Sequence, residues 1–273
     1  MLLVFDVGNT VTTAGLFDGT RLAGTFRVGT AGGRTADELV LLLRQAFPGA
    51  VVRAAAIASV EPSATPAVAE AAARITGREP LLVTAGLETG LEIDYLDPLA
   101  LGADRLANVV AAFRLHGAPA IVVDLGTATK FEVIVRERRY RGGAIAPGVR
   151  TAAAELLRRG ARLGAFELRT PGRAVGRNTE ECLQSGVLLG AAGMVDSMVR
   201  RLAAEERIRP VAVATGGLAG LIAPLSQTIE KVDPELTLQG IRILHELNAP
   251  AGAAVGTAGR APRRPRKALS RRK

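Results

Sequence analysis

Two segments of the sequence repeat one pattern, in which an apolar run ends in aspartate and a glycine follows two positions later. The two segments are Asp6-Val7-Gly8-Asn9-Thr10 and Asp124-Leu125-Gly126-Thr127-Ala128-Thr129. Each apolar run has the length of a buried strand, and two more strand-like stretches follow each segment. Because the same sequence pattern occurs twice, the chain is expected to fold as two similar halves.

The residue types in these two turns suit the binding of a polyphosphate. Glycine lets backbone N–H groups approach a phosphate closely, and the Asn and Thr side chains can donate hydrogen bonds to its oxygens. The carboxylates of Asp6 and Asp124 would repel phosphate directly, so we expect them to hold a cation or its waters. Either turn alone could be an ordinary tight hairpin, but two copies facing each other would clamp a polyphosphate.

Two further segments carry candidate binding residues. Thr215-Gly216-Gly217 lies between a predicted strand and a predicted helix, where an adenosine could fit near a helix N-terminus. In the segment 102–108, a helix beginning near Gly102 would place Asp104 and Asn108 one turn apart on one face. An acid, an amide and a neighbouring arginine suit a polar substrate, although an aspartate in a first turn is also favoured by the helix dipole alone.

The order of elements predicts an α/β fold. Strands are expected at residues 2–5, 11–17, 21–28, 51–59, 81–84, 120–123, 131–136, 140–145 and 211–214. Helices are expected at residues 36–47, after a capping box formed by Thr35 and Glu38, and at 63–76, 151–157, 179–204 and 218–224. We predict an N-terminal lobe over residues 1–117, a C-terminal lobe over 118–250 and a Pro- and Arg-rich, disordered tail over 251–273.

Composition excludes several classes of function. The single cysteine, Cys182, cannot form an intramolecular disulfide and is expected to be a small buried side chain. Two scattered histidines offer little material for a zinc site, and the absence of Trp argues against a base-stacking surface. No apolar run reaches the roughly eighteen residues of a membrane helix, and no basic leader precedes Asp6, so we expect a cytoplasmic protein.

The net charge of +9 is concentrated at one end of the chain. Eight basic residues and no acids lie between Arg260 and Lys273, and subtracting these eight leaves +1 for the rest. The body is therefore nearly neutral, and a weak nonspecific contact with a polyanion through the tail is the only nucleic-acid role that the charge favours.

Seven segments together resemble the type III pantothenate kinases, in the order of that family and over residues 1–248. They are Asp6–Thr10, Gly102–Arg105, Asp124–Thr129, Gly142–Gly148, Gly176–Thr179, Gln184–Gly186 and Thr215–Gly217. The resemblance implies two similar ribonuclease-H-like lobes of the actin-like ATPase and kinase superfamily, with the ligand cleft between them. It also implies ATP-dependent phosphorylation of pantothenate to 4′-phosphopantothenate, the first step of coenzyme A synthesis, by a homodimer with a shared active site.

The resemblance assigns roles to individual residues. Asp104 would be the general base, Asp6 would hold Mg²⁺, possibly through water, and Asp124 would hold a monovalent cation, K⁺ or NH₄⁺. Thr179 would reach the pantothenate of the neighbouring subunit. Further pantothenate-binding residues would be Tyr95, Gly102, Ala103, Asp104, Arg105 and Asn108. ATP would be bound by Asp6, Val7, Gly8, Asn9, Thr10, Val11, Thr12, Thr13, Thr127, Thr129, Thr215, Gly216 and Gly217.

The chain departs from the family at a few positions. Many members carry Lys where this chain has Thr13, and after Thr129 the family usually continues with Thr, an aromatic residue and Asp, where this chain has Lys130-Phe131-Glu132. Lys130 could aid phosphate binding, point outward or replace the potassium ion. Strand alternation places Lys130 and Glu132 on one face and Phe131 on the other. We expect Phe131 in the core, Lys130 in solvent and potassium retained.

Two alternative functions fit the same residues less well. The first is another small-molecule kinase or a phosphatase of the same fold, because a fold alone does not fix the substrate. The second is a nucleotide-binding regulator without catalysis, for which the basic tail would contact nucleic acid. Since every proposed catalytic residue is present, we favour the pantothenate kinase.

Overall fold

The first sheet is formed by the N-terminal part of the chain and contains the first copy of the repeated aspartate and glycine pattern. The computed structural model describes residues 1–30, 33–160 and 164–249. The first elements are β1 (Leu2–Val7), β2 (Val11–Asp18), β3 (Arg21–Gly29), α1 (Ala36–Ala46), β4 (Ala54–Ser59), α2 (Thr65–Thr76) and β5 (Leu81–Leu82). The strands lie in the order β3-β2-β1-β4-β5, with β1 antiparallel to β2 and parallel to β4. The predicted three-stranded meander is confirmed.

The second sheet repeats this arrangement. Its elements, with the helices around it, are β6 (Glu92–Ile93), α3 (Ala103–His116), β7 (Ala120–Leu125), β8 (Ala128–Val135), β9 (Arg139–Pro147), α4 (Val149–Arg159), α5 (Thr179–Glu205), β10 (Val211–Thr215), α6 (Ala219–Ile222), β11 (Lys231–Val232) and α7 (Leu236–Asn248). The order β9-β8-β7-β10-β11 matches β3-β2-β1-β4-β5 strand for strand, and β6 is added at the β9 edge. Two similar halves are therefore present, as predicted; the boundary at residue 117 stays a prediction.

Helices α3 and α7 lie between the two sheets. One core cluster joins Leu2 and Val4 of β1, Leu106 of α3, Ile241 of α7 and Val122 of β7. The opposite face of the first sheet packs against α1 and α2, and the opposite face of the second sheet packs against α5 and α6. Strand alternation therefore directs the even-numbered residues of β1, β7 and β8 toward α3.

No bounds were predicted for the helix α7, although it is central to the fold. It packs closely on α3, because a Cβ atom on Gly240 would lie 2.0 Å from the carbonyl oxygen of Ala107. Only glycine allows this approach of two helix backbones. The hydroxyl of Thr237 also donates to Oδ1 of Asn108 at 2.7 Å. The last described helix thus returns to brace the N-terminal half.

Local signals for helix ends gave accurate predictions. Thr35 and Glu38 form the predicted capping box, and Gly77 ends α2 in the left-handed conformation. The prediction for Cys182 was wrong, because this residue is exposed. It lies in the first turns of α5, on the side of that helix that faces away from the second sheet. Every prediction for the basic tail, residues 251–273, concerns residues outside the described part of the chain.

By length and composition, α5 is the one described helix that could cross a membrane. Of its most apolar window, 44% is buried inside the protein. Leu188, Ala192, Val195 and Val199 on this helix pack in the core of the second sheet. This packing accounts for the apolar character of α5.

Candidate active site

The structure brings the two phosphate-type turns together. The first turn connects β1 to β2 and is closed by a hydrogen bond from the Gly8 amide to the Val11 carbonyl at 3.1 Å. Thr10 and Thr127 meet across the cleft, with their hydroxyl oxygens 3.3 Å apart. Since both side chains are exposed, the two turns present hydroxyl groups to the same space.

A third turn packs against the second. Gly216 has a φ of +89°, and a Cβ atom there would lie 2.7 Å from Oδ1 of Asp124 and 2.8 Å from the backbone of Leu125. Only glycine combines this backbone conformation with so close an approach. The glycine of the predicted adenosine-site turn therefore lies directly against the acid of the second phosphate-type turn.

Three carboxylates and one ammonium group form the centre of the cleft. Nζ of Lys130 lies 2.5 Å from Oδ2 of Asp104 and 2.9 Å from Oδ2 of Asp124. Asp6 is electrostatically coupled to all three of these residues. The strand faces explain why these four side chains lie together. Asp6, Asp124 and Lys130 occupy even-numbered positions on β1, β7 and β8, and the side chains at these positions face α3. Asp104 lies in the first turn of that helix.

The excess negative charge shifts protonation in this cluster. Loss of solvent, followed by repulsion from Asp104 and Asp124, raises the pKa of Asp6 to about 7. Burial also raises the pKa of Asp124, against the attraction of Lys130. Although burial disfavours its charged form, the two carboxylates raise the pKa of Lys130, so its ammonium stays charged at every physiological pH. The centre of the cleft would thus favour additional positive charge.

Arg105 forms a buried ion pair directly behind Asp104. Its guanidinium donates to both oxygens of Glu132, from Nε at 2.7 Å and from Nη2 at 2.9 Å. Nη2 also donates to the Tyr140 hydroxyl at 2.9 Å, and Nη1 donates to the Tyr95 hydroxyl at 3.4 Å. Tyr95 stacks on Tyr140 with ring centroids 6.0 Å apart. These contacts fix the position of the α3 N-terminus relative to β8.

Sequence reasoning missed Glu132 and Tyr140 as partners of Arg105. A signal was available, because Lys130 and Glu132 were expected to share one strand face. If Lys130 faces the cleft, Glu132 must face α3 as well. The pairing itself depends on how α3 crosses the second sheet, and no local pattern specifies that crossing.

The orientation predicted for Lys130 was wrong. The expectation placed Phe131 in the core, which is confirmed, and Lys130 in solvent. The side chain of Lys130 is only 16% exposed. The hairpin pairs Lys130 directly with Asp124 across the two strands, so both side chains point to one face. The helix α3 covers this face of β8. The core formed with α5 and α6 covers the opposite face, so neither side of β8 faces solvent.

The structure places several predicted site residues away from open space. Asn108 is buried and bonded to Thr237, so we assign it to the contact between α3 and α7 rather than to the substrate. The hydroxyl of Thr12 pairs with that of Thr30 at 2.9 Å, and Thr129 donates to the Pro147 carbonyl at 3.4 Å. At these two positions the hydroxyl is engaged within the protein.

The other predicted residues lie in several different environments. Thr13 pairs with Asp6 in the strand register and shares its face, while Val7 is buried on the opposite face. Asn9, Val11 and Gly217 are exposed. Among the described residues, the buried Thr215 hydroxyl has no hydrogen-bond partner. Gly102 and Ala103 begin α3 beside Asp104, and exposed Thr179 begins α5.

The sequence profile of the family described as type III pantothenate kinase matches residues 2–201 of the chain. The chain belongs to the type III pantothenate kinase family. Membership confirms the predicted family and the predicted class of enzyme, a kinase. ATP as the phosphoryl donor and an accompanying divalent cation follow from that class.

Individual relatives in this family match nearly the whole length of the chain. A protein named type III pantothenate kinase from Moorella thermoacetica is 44% identical over 253 residues, which are 91% of this chain and 100% of the relative. One of the same name from Anaeromyxobacter sp. strain K is 45% identical with the same coverage. The matched length leaves room only for the tail.

Solved structures show the fold of this type III pantothenate kinase. A Campylobacter jejuni protein described as a Baf family transcriptional activator superposes with a TM-score of 0.59 at 17% identity, covering 89% of this chain and 97% of that one. A 2-dehydro-3-deoxygalactonokinase protein of Sinorhizobium meliloti gives 0.55 at 13% identity, with coverages of 92% and 100%. The likeness confirms the predicted α/β fold with two similar halves.

Proposed function

We propose that this protein transfers the γ-phosphoryl group of ATP to the primary hydroxyl of pantothenate, forming 4′-phosphopantothenate for coenzyme A synthesis. One observation carries the proposal. The Asp104 carboxylate lies at the α3 N-terminus, ion-paired through Lys130 to the acid of the second phosphate-type turn. A carboxylate so placed is within reach of a hydroxyl positioned between the two turns.

The chemistry that this geometry supports is an in-line phosphoryl transfer, which depends mainly on positioning and charge stabilisation. Asp104 accepts the proton of the pantothenate hydroxyl. At the same time the hydroxyl oxygen attacks the γ-phosphorus, and ADP leaves. Lys130 holds the Asp104 carboxylate in position through the ion pair at 2.5 Å. A general base of this kind contributes roughly 10²–10⁴-fold to the rate.

Asp6 fits the role of a magnesium ligand. Mg²⁺ keeps several waters and needs only one or two carboxylates together with substrate phosphates. Within residues 1–30, 33–160 and 164–249, no group of three or more acidic, His or Cys side chains could form a metal cage. Burial, followed by repulsion from Asp104 and Asp124, raises the pKa of Asp6 to about 7. A divalent cation bound at Asp6 would offset the negative charge of these carboxylates. When bound, Mg²⁺ also neutralises charge on the ATP phosphates.

A monovalent cation on Asp124 does not fit this chain equally well. Oδ2 of Asp124 already contacts Lys130 at 2.9 Å, and Oδ1 lies against Gly216. A second cation on the same carboxylate would lie about 4 Å from the ammonium, where two unit charges repel by about 4 kcal/mol at an effective dielectric constant near 20. We therefore route no step through a potassium or ammonium ion.

The substrate pocket of the proposed function lies along the start of α3. Gly102, Ala103 and Asp104 line the helix N-terminus, where backbone N–H groups can donate hydrogen bonds to a polar substrate. Tyr95 forms one wall and is held by Arg105. Because the charge of Arg105 is balanced by Glu132, we propose that Arg105 shapes this wall rather than carrying a free positive charge to the substrate.

We further propose a symmetric homodimer formed through α5. Five small residues occupy one exposed stripe of this helix: Cys182, Gly186, Gly190, Gly193 and Ser197. A Cβ atom on any of the three glycines would meet nothing within 4 Å. Small side chains let a partner helix approach closely. Such a dimer would carry Thr179, at the start of α5, toward the neighbouring site.

The remaining expectations belong to the same proposal. We propose a cytoplasmic location, in keeping with a substrate and a nucleotide that are both small and water-soluble. A weak contact of the basic tail with a polyanion follows from its eight basic residues alone.

An acceptor panel tests the proposed function. Purified protein is incubated with radiolabelled ATP, Mg²⁺ and, separately, pantothenate, a hexose or acetate. Labelled phosphopantothenate is expected, with no label on the other acceptors. Phosphorylation of a hexose or acetate but not pantothenate would identify a different kinase of this fold. Binding of ATP without transfer to any acceptor would instead support the noncatalytic regulator.

A further inference from the structure

The position of Lys130 has a consequence beyond the choice of substrate. We infer that the Lys130 ammonium is a built-in cation of the active site, which serves Asp104 and Asp124 together and makes the enzyme independent of potassium. The inference rests on the proposed function, because it concerns the same cleft, but its test separates the two.

The contacts of Lys130 support this role. One ammonium nitrogen bridges two carboxylates of different elements, at 2.5 Å to Asp104 on α3 and 2.9 Å to Asp124 on β7. The exposed fraction of the side chains is 16% for Lys130, 14% for Asp104 and 12% for Asp124. Ion pairs at exposed surface positions contribute little, but a partly buried, doubly paired cation is held in place by its surroundings.

The strand register makes this position a fixed feature rather than one side-chain conformation among many. Lys130 and Asp124 are direct cross-strand partners in the hairpin that forms the second phosphate-type turn. Phe131, the next residue, is fully buried on the other face and holds the strand in this register. The strand pairing therefore holds the Lys130 ammonium beside Asp124, where a bound cation would otherwise neutralise that carboxylate.

The charge balance of the cluster points the same way. Asp6, Asp104 and Asp124 carry three carboxylates, and Lys130 offsets one of them. A compact ammonium resembles a monovalent cation in charge and in its contacts with oxygen. With Lys130 present and Arg27 also acting on Asp6, the negative charge that remains suits the divalent ion that accompanies ATP. The lysine at position 130, which departs from the residue usual in the resembling family, thus has a specific chemical role.

Two substitutions at this position separate the charge from the space that it fills. Lys130→Thr removes the ammonium and leaves room for a cation, with a hydroxyl as an additional ligand. Lys130→Met removes the charge but keeps most of the side-chain volume, so that a cation cannot enter. Lys231→Thr, at an exposed lysine on β11, is the matched control.

The measurement is activity against potassium concentration, with sodium holding the ionic strength constant. The wild-type enzyme and Lys231→Thr should respond to potassium by less than about twofold, while Lys130→Thr should lose at least about tenfold in sodium alone, or about 1.4 kcal/mol, and recover in potassium. Lys130→Met should lose activity without recovery. Severalfold activation of the wild-type enzyme by potassium overturns the inference, as does full activity of Lys130→Thr in sodium.

Melting temperature in the absence of substrates gives a second readout that does not depend on turnover. The wild-type protein should melt at the same temperature in potassium and in sodium, and Lys130→Thr should melt lower and be raised by potassium specifically. A potassium-specific rise in the wild-type protein contradicts the inference. If no pantothenate is phosphorylated with any cation, the proposed function fails, and the melting data still judge the role of Lys130. If Lys130→Thr does not fold, the wild-type titrations decide alone.

Discussion

Arg105 and Glu132 form a bidentate ion pair between the first turns of α3 and the middle of β8, with N–O distances of 2.7 and 2.9 Å. The side chains are only 9% and 1% exposed. The pair connects the helix that carries Asp104 to the strand that carries Lys130. It therefore sets the relative position of the two residues at the centre of the site.

Substitution of Glu132 tests this role. Glu132→Gln would leave the Arg105 charge buried and unpaired, which we expect to cost about 3 kcal/mol in the free energy of unfolding. The KM for pantothenate should rise more than the KM for ATP, since the Tyr95 wall loses its support. The control is Glu70→Gln, which breaks an exposed ion pair with Arg74 and should cost less than about 0.5 kcal/mol. Equal effects of the two substitutions in denaturant unfolding would refute the role.

A second prediction concerns the turn at Gly216. Gly216→Ala would place a Cβ atom 2.7 Å from Asp124 on a backbone with φ of +89°. We expect a loss of about 1–3 kcal/mol in unfolding free energy, together with weaker ATP binding. Gly217→Ala is the matched control, because nothing lies within 4 Å of a Cβ atom at that neighbouring glycine. Denaturant unfolding without nucleotide compares the two variants. If both are equally stable, the close contact of Gly216 with Asp124 is not a constraint on the fold.

The raised pKa of Asp6 predicts a specific dependence of stability on pH. Its pKa is about 7 in the folded protein against an ordinary value of 3.8, so the folded state binds more protons between these values. Asp6 therefore makes the protein less stable as pH rises from about 4 to 7, with no further change above that range. Asp6→Asn removes this titration, so its stability relative to wild type should grow with pH and then level off near pH 8. A difference that stays constant across this pH range in thermal unfolding would contradict the assignment.

The proposed dimer is tested on the exposed stripe of α5. Gly190→Leu should produce a monomer with little activity, because the larger side chain blocks the approach of a partner helix, while the isolated fold tolerates it. Gly220→Leu, at an exposed glycine of α6 with equally open surroundings, should remain dimeric. Sedimentation velocity and activity are measured on the same samples. A fully active monomeric wild-type protein would defeat the proposal, and so would a dimeric Gly190→Leu.

Local patterns predicted most of the secondary structure but not the long-range packing. The duplicated turns, the meander and the Thr35 capping box depend on residues close in sequence, and all were predicted correctly. The bounds and the packing of α7 were not predicted, because its burial depends on distant partners; Leu236, Ile241, Arg242 and Leu244 are all inaccessible. Its contact with α3 joins residues more than a hundred positions apart.

For the centre of the cleft, the sequence predicted the residue types but not the orientation of Lys130, and the roles of the individual residues stay predictions. Asp6, Asp104 and Asp124 lie together because strand ends and a helix start meet at one edge of the cleft. Lys130 was placed in solvent on the assumption that one face of β8 is exposed. This assumption is valid for a sheet with one solvent-exposed face, but β8 lies in a sheet that is covered on both faces. The hairpin register, which pairs residues 124 and 130, was readable from the sequence and would have corrected the orientation.

The central claim is that Asp104 removes the proton of the pantothenate hydroxyl. Asp104→Asn keeps the size of the side chain but cannot accept this proton, while Asp18→Asn, at an exposed aspartate at the end of β2, is the control. The decisive measurement is the rate of 4′-phosphopantothenate formation from radiolabelled ATP, with ATP binding measured on the same preparations. Asp104→Asn should lose at least about two orders of magnitude in turnover and still bind ATP. Turnover of Asp104→Asn close to that of the wild-type enzyme would contradict this claim.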